Sequence, residues 1–348
     1  MRPWIERMSM KRVLLLFWLG SAMSQSWAGE YHLGEGYNAG NINIAGYINM
    51  VAEAPRNGKA QLMGDDLSLF VSGRYNKYFN PFFEAEYTGV TLWREGGSLL
   101  SDNKPTFVLE RLYNDSNLAE DLSLRVGKLL TPVGEWNGIH AAPLVSTTTR
   151  PLTTFRSFPE YTSGLDLNYA PQNGRLPEIQ LYVQPDGEIM PRPKELVVRE
   201  YRHVTGVHLN WASGLIDKLG VSLQHADVNH SDDSQTVLGI NARRALGNFQ
   251  LETEATYTRI DGRSLTRVRD KEWGVYVLGS YAIDDRWSVM ASMEHFSDRN
   301  MAGSARSALL GLSWRPAPAL AWKLEYVKQD GARLDIATGV YASFSVLF

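Results

Sequence analysis

From Asn41 onward, apolar and polar side chains alternate with a period of two. Ile42, Ile44, Gly46 and Ile48 alternate with Asn43, Ala45, Tyr47 and Asn49. Phe249, Leu251, Thr253, Ala255 and Tyr257 alternate with Gln250, Glu252, Glu254, Thr256 and Thr258. No strong stretch of helical period competes. Strands of this kind carry one apolar and one polar face. The pattern predicts about sixteen of them, over 41–50, 66–75, 82–94, 105–113, 121–129, 161–169, 177–185, 200–211, 219–228, 235–244, 249–259, 271–282, 287–297, 305–315, 319–328 and 338–348.

The connections sort by parity. Short ones at 76–81, 114–120, 170–175, 212–218, 245–248, 283–286 and 316–318 alternate with longer or more polar ones near 51–65, 95–104, 130–160, 186–199, 229–234, 260–270, 298–304 and 329–337. A soluble sandwich with Greek-key links would scatter these lengths. A transmembrane up-and-down antiparallel β-barrel sorts them, with tight turns at one rim and larger loops at the other. Aromatic residues gather beside the short turns: Tyr75, Phe82, Phe83, Tyr113, Tyr169, Trp211, Phe249, Tyr281, Trp287, Trp314 and Trp322. Rings with a polar edge favour the membrane interface, so these positions predict a girdle at that rim.

The last strand is the most specific feature. Val340, Ala342, Phe344, Val346 and Phe348 fall on every second position, and the chain ends on Phe348. This resembles the C-terminal strand of bacterial outer-membrane barrels, which the barrel-insertion machinery reads by a terminal aromatic. The longest interruption, 130–160, follows the fifth strand. In the sixteen-stranded general porins that loop folds into the lumen and narrows it. The stretch Val126-Gly127-Lys128-Leu129-Leu130-Thr131-Pro132-Val133-Gly134, with Trp136-Asn137 and Arg150-Pro151, also looks like the corresponding part of phosphate-selective porins, although the loop has no run of lysines. The chain is thus similar to the Gram-negative outer-membrane porin superfamily. That resemblance implies an inward loop, a homotrimer with early strands at the contacts, and contact with outer-membrane lipid and lipopolysaccharide.

Charge then suggests which residues face the solute. The loop offers Glu135, His140, Arg150, Arg156 and Glu160, and the polar strand faces offer Arg74, Arg125, Arg202, Glu84 and Glu86 among others. Of these, Arg150, Arg156, Glu135, His140, Arg125, Arg74, Glu84, Glu86 and Arg202 are the candidate constriction and pore-lining residues. Their signs are mixed, which predicts weak ion selectivity. Lys128 falls on the apolar row of its strand, and Glu110 or Arg111 intrudes likewise. A bulge, a rim position or a subunit contact would excuse them.

Composition removes other classes. Of 348 residues none is Cys, which excludes disulfide scaffolds, thiolate metal sites and thiol nucleophiles. A net charge of -3 gives no case for nucleic acid. Residues 1–28 read as a secretory signal, with Lys11-Arg12, the apolar run from Val13, and small residues at Ser26 and Ala28. Residues 29–40 form a short N-terminal segment, and 41–348 form the barrel. No nucleotide-binding fingerprint occurs, and no cofactor is implied. The cluster His225, His230, Asp232 with Asp227 reads as a solvated loop, not a metal site. Glu252 and Glu254 read as lumen polarity. Three functions stay open: a passive diffusion channel for small hydrophilic solutes, a non-conducting barrel that anchors or escorts a partner, and an outer-membrane hydrolase. The channel is favoured, and no catalytic residue is assigned.

Overall fold

A computed structural model of the chain describes residues 29–348, apart from 101–104, 140, 173–175, 214–216, 264–266 and 333. The signal segment and His140 lie outside the described residues. All sixteen expected strands form, preceded by a short hairpin of β1 (Glu30–His32) and β2 (Gly36–Ala39). The barrel strands are β3 (Ile42–Pro55), β4 (Gln61–Gly73), β5 (Asn80–Arg94), β6 (Thr106–Asn117), β7 (Leu122–Leu130), β8 (Tyr161–Tyr169), β9 (Glu178–Gly187), β10 (Tyr201–Ser213), β11 (Asp217–Val228) and β12 (Ser234–Leu246). They continue with β13 (Phe249–Asp261), β14 (Lys271–Ala282), β15 (Trp287–Ser297), β16 (Ala305–Ala317), β17 (Leu320–Gly331) and β18 (Gly339–Leu347). Each pairs antiparallel with its sequence neighbours, and β18 returns to pair with β3 from Gly339↔Pro55 to Leu347↔Tyr47. The ring is therefore closed, leaving no free edge at the seam.

Closure is completed by the chain end. The Gly46 N–H donates to the Phe348 carbonyl at 2.8 Å, and the Phe348 N–H donates to Gly46 at 2.9 Å. A side chain at position 46 would meet the Phe348 ring, so glycine here makes room for the terminal aromatic.

The faces are inverted relative to a soluble sheet. Met293 and Leu310 point outward and are 73% and 68% exposed, whereas Ala321 and Glu325 point inward and are 0% and 1% exposed. Among the described residues no helix is long and apolar enough to cross a membrane. The outward band of Leu223, Leu238, Ile240, Val277, Leu310 and Leu324 is the surface that meets hydrocarbon. At the short-turn rim Trp287, Trp314, Trp322 and Phe344 stand side by side on β15–β18, with Trp287 and Trp314 stacked at 5.6 Å and Trp322 and Phe344 tilted against each other at 4.2 Å.

Four expectations need correction. The connection placed at 51–65 is only 56–60, because β3 and β4 run further than the alternation suggests. A bulge around Asp65 breaks the period and hides the start of β4. Phe82 and Tyr113 are not in the girdle. They stack at 5.0 Å, and the row Tyr47, Phe70, Phe82 runs beside them on the lumen face. Lys128 does not face lipid. Gly127 adopts φ +137°, a value that favours glycine, and Lys128 beside it is fully buried. There its Nζ donates to the carbonyls of Leu109 at 2.6 Å and Met190 at 3.0 Å and pairs with Glu188 at 2.7 Å. Finally, the lumen face is not polar throughout. Tyr276, Leu278, Met290, Leu309 and Val327 point inward and form an apolar cluster with Trp136 and Val145 of the inward loop.

Candidate functional site: the lumen and its inward loop

Residues 131–160 leave β7 and return at β8, crossing the interior between them. Their path is fixed by side chains that alternation aims inward from β11 to β18. The Glu254 carboxylate accepts N–H bonds from Trp136 at 2.8 Å and Glu135 at 3.2 Å, and the Tyr276 hydroxyl at 3.1 Å. This holds the one-turn helix α1 (Trp136–Ile139). Glu325 accepts the N–H groups of Thr148 and Thr149. Glu294 accepts the N–H and the hydroxyl of Thr153, each at 2.8 Å. Lys323 Nζ donates to the carbonyls of Ala142 at 2.8 Å and Thr147 at 3.2 Å. Gln235 donates to the Ser157 carbonyl at 2.8 Å. Carboxylates spaced along the wall thus take backbone donors that a strandless segment cannot satisfy itself.

The candidate residues separate in space. Arg150 borders the open part of the lumen; it pairs with Glu160 at 2.7 Å, donates to Asn137 at 3.0 Å and lies over the Phe155 ring. Glu86 borders the same space from β5. Arg156 is turned away, pairing with Asp298 at 3.0 Å and with Asp335. Glu135 faces the far side of the loop, held by Arg243 at 3.0 Å and Lys218 at 3.1 Å. Glu84 is bonded to Arg111 and Ser68 within the wall, and Arg125 pairs with Asp115 at 2.7 Å. Arg202 lies on β10 opposite Asp227, and Arg74 is exposed in the turn after β4. Asp298, in the 298–304 loop, has its carboxyl below the usual range. Burial pushes it up, but the Asn300 N–H and the Arg199 and Arg156 guanidiniums outweigh that.

The space left open lies between the loop and β3–β6. It is a cavity of about 510 Å³, bordered on the loop side by Ala142, Thr147, Thr149 and Arg150 and on the wall by Asn49, Asp65, Asp66 and Glu86. Two further voids between loop and wall, beside Glu135 and beside Glu294, are about 20 Å³ each. The sequence reading missed Asp65 and Asp66, which fell in or beside a presumed loop. The adjacent acidic pair inside an otherwise alternating strand was the available signal. It also took Glu254 as lumen polarity, although Glu254 is a loop anchor.

His208 Nδ1 lies 2.8 Å from Ser222 Oγ, but both are buried under Pro132, and among the described residues no carboxylate bonds to His208. His203 pairs with Asp227 and His225 contacts Thr236, and no group of three His, Asp or Glu among the described residues could hold a metal ion.

No protein-family model matches the chain, and no curated protein matches it in sequence. Solved structures do. A Salmonella typhi OmpF complex with daunomycin is similar at a TM-score of 0.65 and 13% identity, over 89% of this chain and 98% of that one. An anion-selective porin from Comamonas acidovorans gives 0.61 and 14%, over 88% and 98%. A trimer form of OmpT, an outer membrane protein of Vibrio cholerae, gives 0.62 and 10%, over 89% and 100%. Closed ring, inverted faces and likeness over nearly the whole length agree: the chain has the sixteen-stranded transmembrane barrel fold of the outer-membrane porins.

Proposed function

We propose that the protein is an outer-membrane channel of a Gram-negative cell through which small hydrophilic solutes or ions diffuse passively. The observation that carries this reading is the cavity of about 510 Å³ between residues 131–160 and the β3–β6 wall, inside a barrel whose outer face is apolar. In this reading the loop sets the width of the passage, and Arg150 and Glu86 border it. Planar-bilayer recording of the purified protein tests it: stepwise current at each insertion is expected, and silence at saturating insertion refutes it.

A homotrimer fits the same reading. Ladder pairs between β6 and β7 run only from Leu112↔Lys128 to Asn117↔Ser123, so among the described residues the first half of β6 has no partner strand on that side. Phe107 there is 64% exposed. A backbone edge in hydrocarbon calls for a cover, and the trimer form of the similar Vibrio protein supports this reading. Outer-leaflet lipid and lipopolysaccharide would meet the remaining wall, and Phe348 would present the final strand to the insertion machinery.

The second reading, a non-conducting barrel, draws on the apolar cluster that glues Trp136 and Val145 to β14–β17. That cluster fills only the far side of the lumen. Bilayer silence together with a folded barrel is the result that favours it.

A further inference from the structure

We infer that the passage has a second narrowing element, the outer loop between β9 and β10, and that Arg192 of this loop positions the inward loop through Glu160. The inference rests on the channel reading above and names what else sets the width of the passage.

The outer loop is tied down where the wall parts. Leu112↔Lys128 is the last ladder pair of β6 and β7 toward the long-loop rim. Contacts of residues 188–190 cross that parting from β8 to β6. The Ile189 N–H donates to Ser163 Oγ on β8 at 2.9 Å. Lys128 Nζ on β7 then bridges the Met190 carbonyl at 3.0 Å and the Leu109 carbonyl of β6 at 2.6 Å, and it pairs with Glu188 at 2.7 Å. Met190 turns the chain there with φ +46°, a left-handed conformation uncommon for methionine. Lys128, which looked misplaced on an apolar row, is the post to which the loop is fastened.

From that post the loop reaches the lumen. Arg192 and Leu196 border the cavity of about 510 Å³, beside Phe155 and Glu160 of the inward loop. Arg192 pairs with Glu160 at 2.7 Å and lies over the Tyr161 ring. Arg150 holds the same carboxylate at 2.7 Å, so Glu160 joins the two loops. Further on, Arg199 donates to the Arg156 carbonyl at 2.8 Å and pairs with Glu272 of β14 at 3.2 Å. The outer loop therefore grips the inward loop at Arg156 and at Glu160, the stretch by which the inward loop returns to β8.

The grip is polar. Ile189, Met190, Leu196 and Val198 stay exposed, so little buried apolar surface fixes the outer loop. A segment of this kind keeps its place through its ion pairs and hydrogen bonds. Loss of Arg192 takes a side chain from the border of the opening and removes one of the two bases that hold Glu160.

The test is single-channel conductance of Arg192→Ala in planar bilayers, with the size limit read from the polyethylene glycols that enter the pore. Conductance is expected to rise about 1.5-fold, and larger glycols should enter. Arg192→Lys, which keeps a base facing Glu160, should restore the original conductance. A merely structural contact would shift heat unfolding and leave both pore readings unmoved. If Arg192→Ala does not fold, Leu196→Cys tests the same placement: a charged thiol reagent should cut its current by about half. Pore readings unmoved or lowered in Arg192→Ala, or steady current through modified Leu196→Cys, overturn the inference while leaving the channel standing. Absence of current in the unaltered protein overturns the channel reading and the inference with it.

Discussion

Replacing Glu254 with alanine is expected to release the start of the inward loop and leave the barrel intact. Glu254 takes two loop N–H groups, Trp136 at 2.8 Å and Glu135 at 3.2 Å. Each hydrogen bond to a charged acceptor contributes roughly 1.5–3 kcal/mol. Water in the lumen would re-satisfy part of what is lost, so the docking of residues 135–139 is expected to weaken by about 3 kcal/mol, or about a hundredfold in the docked ratio. Hydrogen exchange of backbone amides in detergent-folded protein reads this directly, because amides open locally in proportion to that ratio. The Trp136 amide should exchange about a hundredfold faster in the variant, while the β13 ladder amides hold. Glu254→Gln, which keeps an acceptor oxygen, should lie between the two. Unchanged protection at residues 135 and 136 would refute the anchoring role. Equal loss along β13 would show that the variant unfolds the wall instead.

Three further outcomes follow from the same contacts. Gly134→Ala should destabilise the same turn, since φ is +71° and an added Cβ would sit 2.0 Å from a Glu254 oxygen; a lowered melting temperature and faster Trp136 exchange would register it. Lys128→Met should cost about 3 kcal/mol by stranding Glu188 near buried carbonyls, read as easier heat unfolding on gels. The Asp298 carboxyl lies below its ordinary value, so its ion pairs with Arg156 and Arg199 contribute fully above about pH 4 and are lost only as pH falls through the depressed value; amide protection at Arg156 should therefore survive at pH 4 in the unaltered protein and be weakened at every pH in Asp298→Asn.

The strands were legible because a wall between lipid and a lumen imposes alternation on almost every residue, and β12, β13 and β18 keep it without a break. Legibility failed where the backbone departs from the period. The Asp65 bulge concealed the start of β4, and Lys128 looked misplaced because the partners that cover it, Glu188 and Met190, lie some sixty positions along the chain. The site was read less well than the fold. Its residues meet across the barrel: Trp136 is bonded to a carboxylate 118 positions away, and Thr149 to one 176 away. Nothing local marks such partners. Arg150 and Arg156 were visible as loop charges, but only the closed ring brings Asp298 and Asp335 to Arg156.

The account turns on where the passage runs, and an introduced cysteine locates it, since the chain has none of its own. In single-channel recordings a charged thiol reagent should block current through Asp65→Cys on the β4 wall and leave Leu238→Cys, on the outer face of β12, unaffected. Steady current through modified Asp65→Cys would contradict the account.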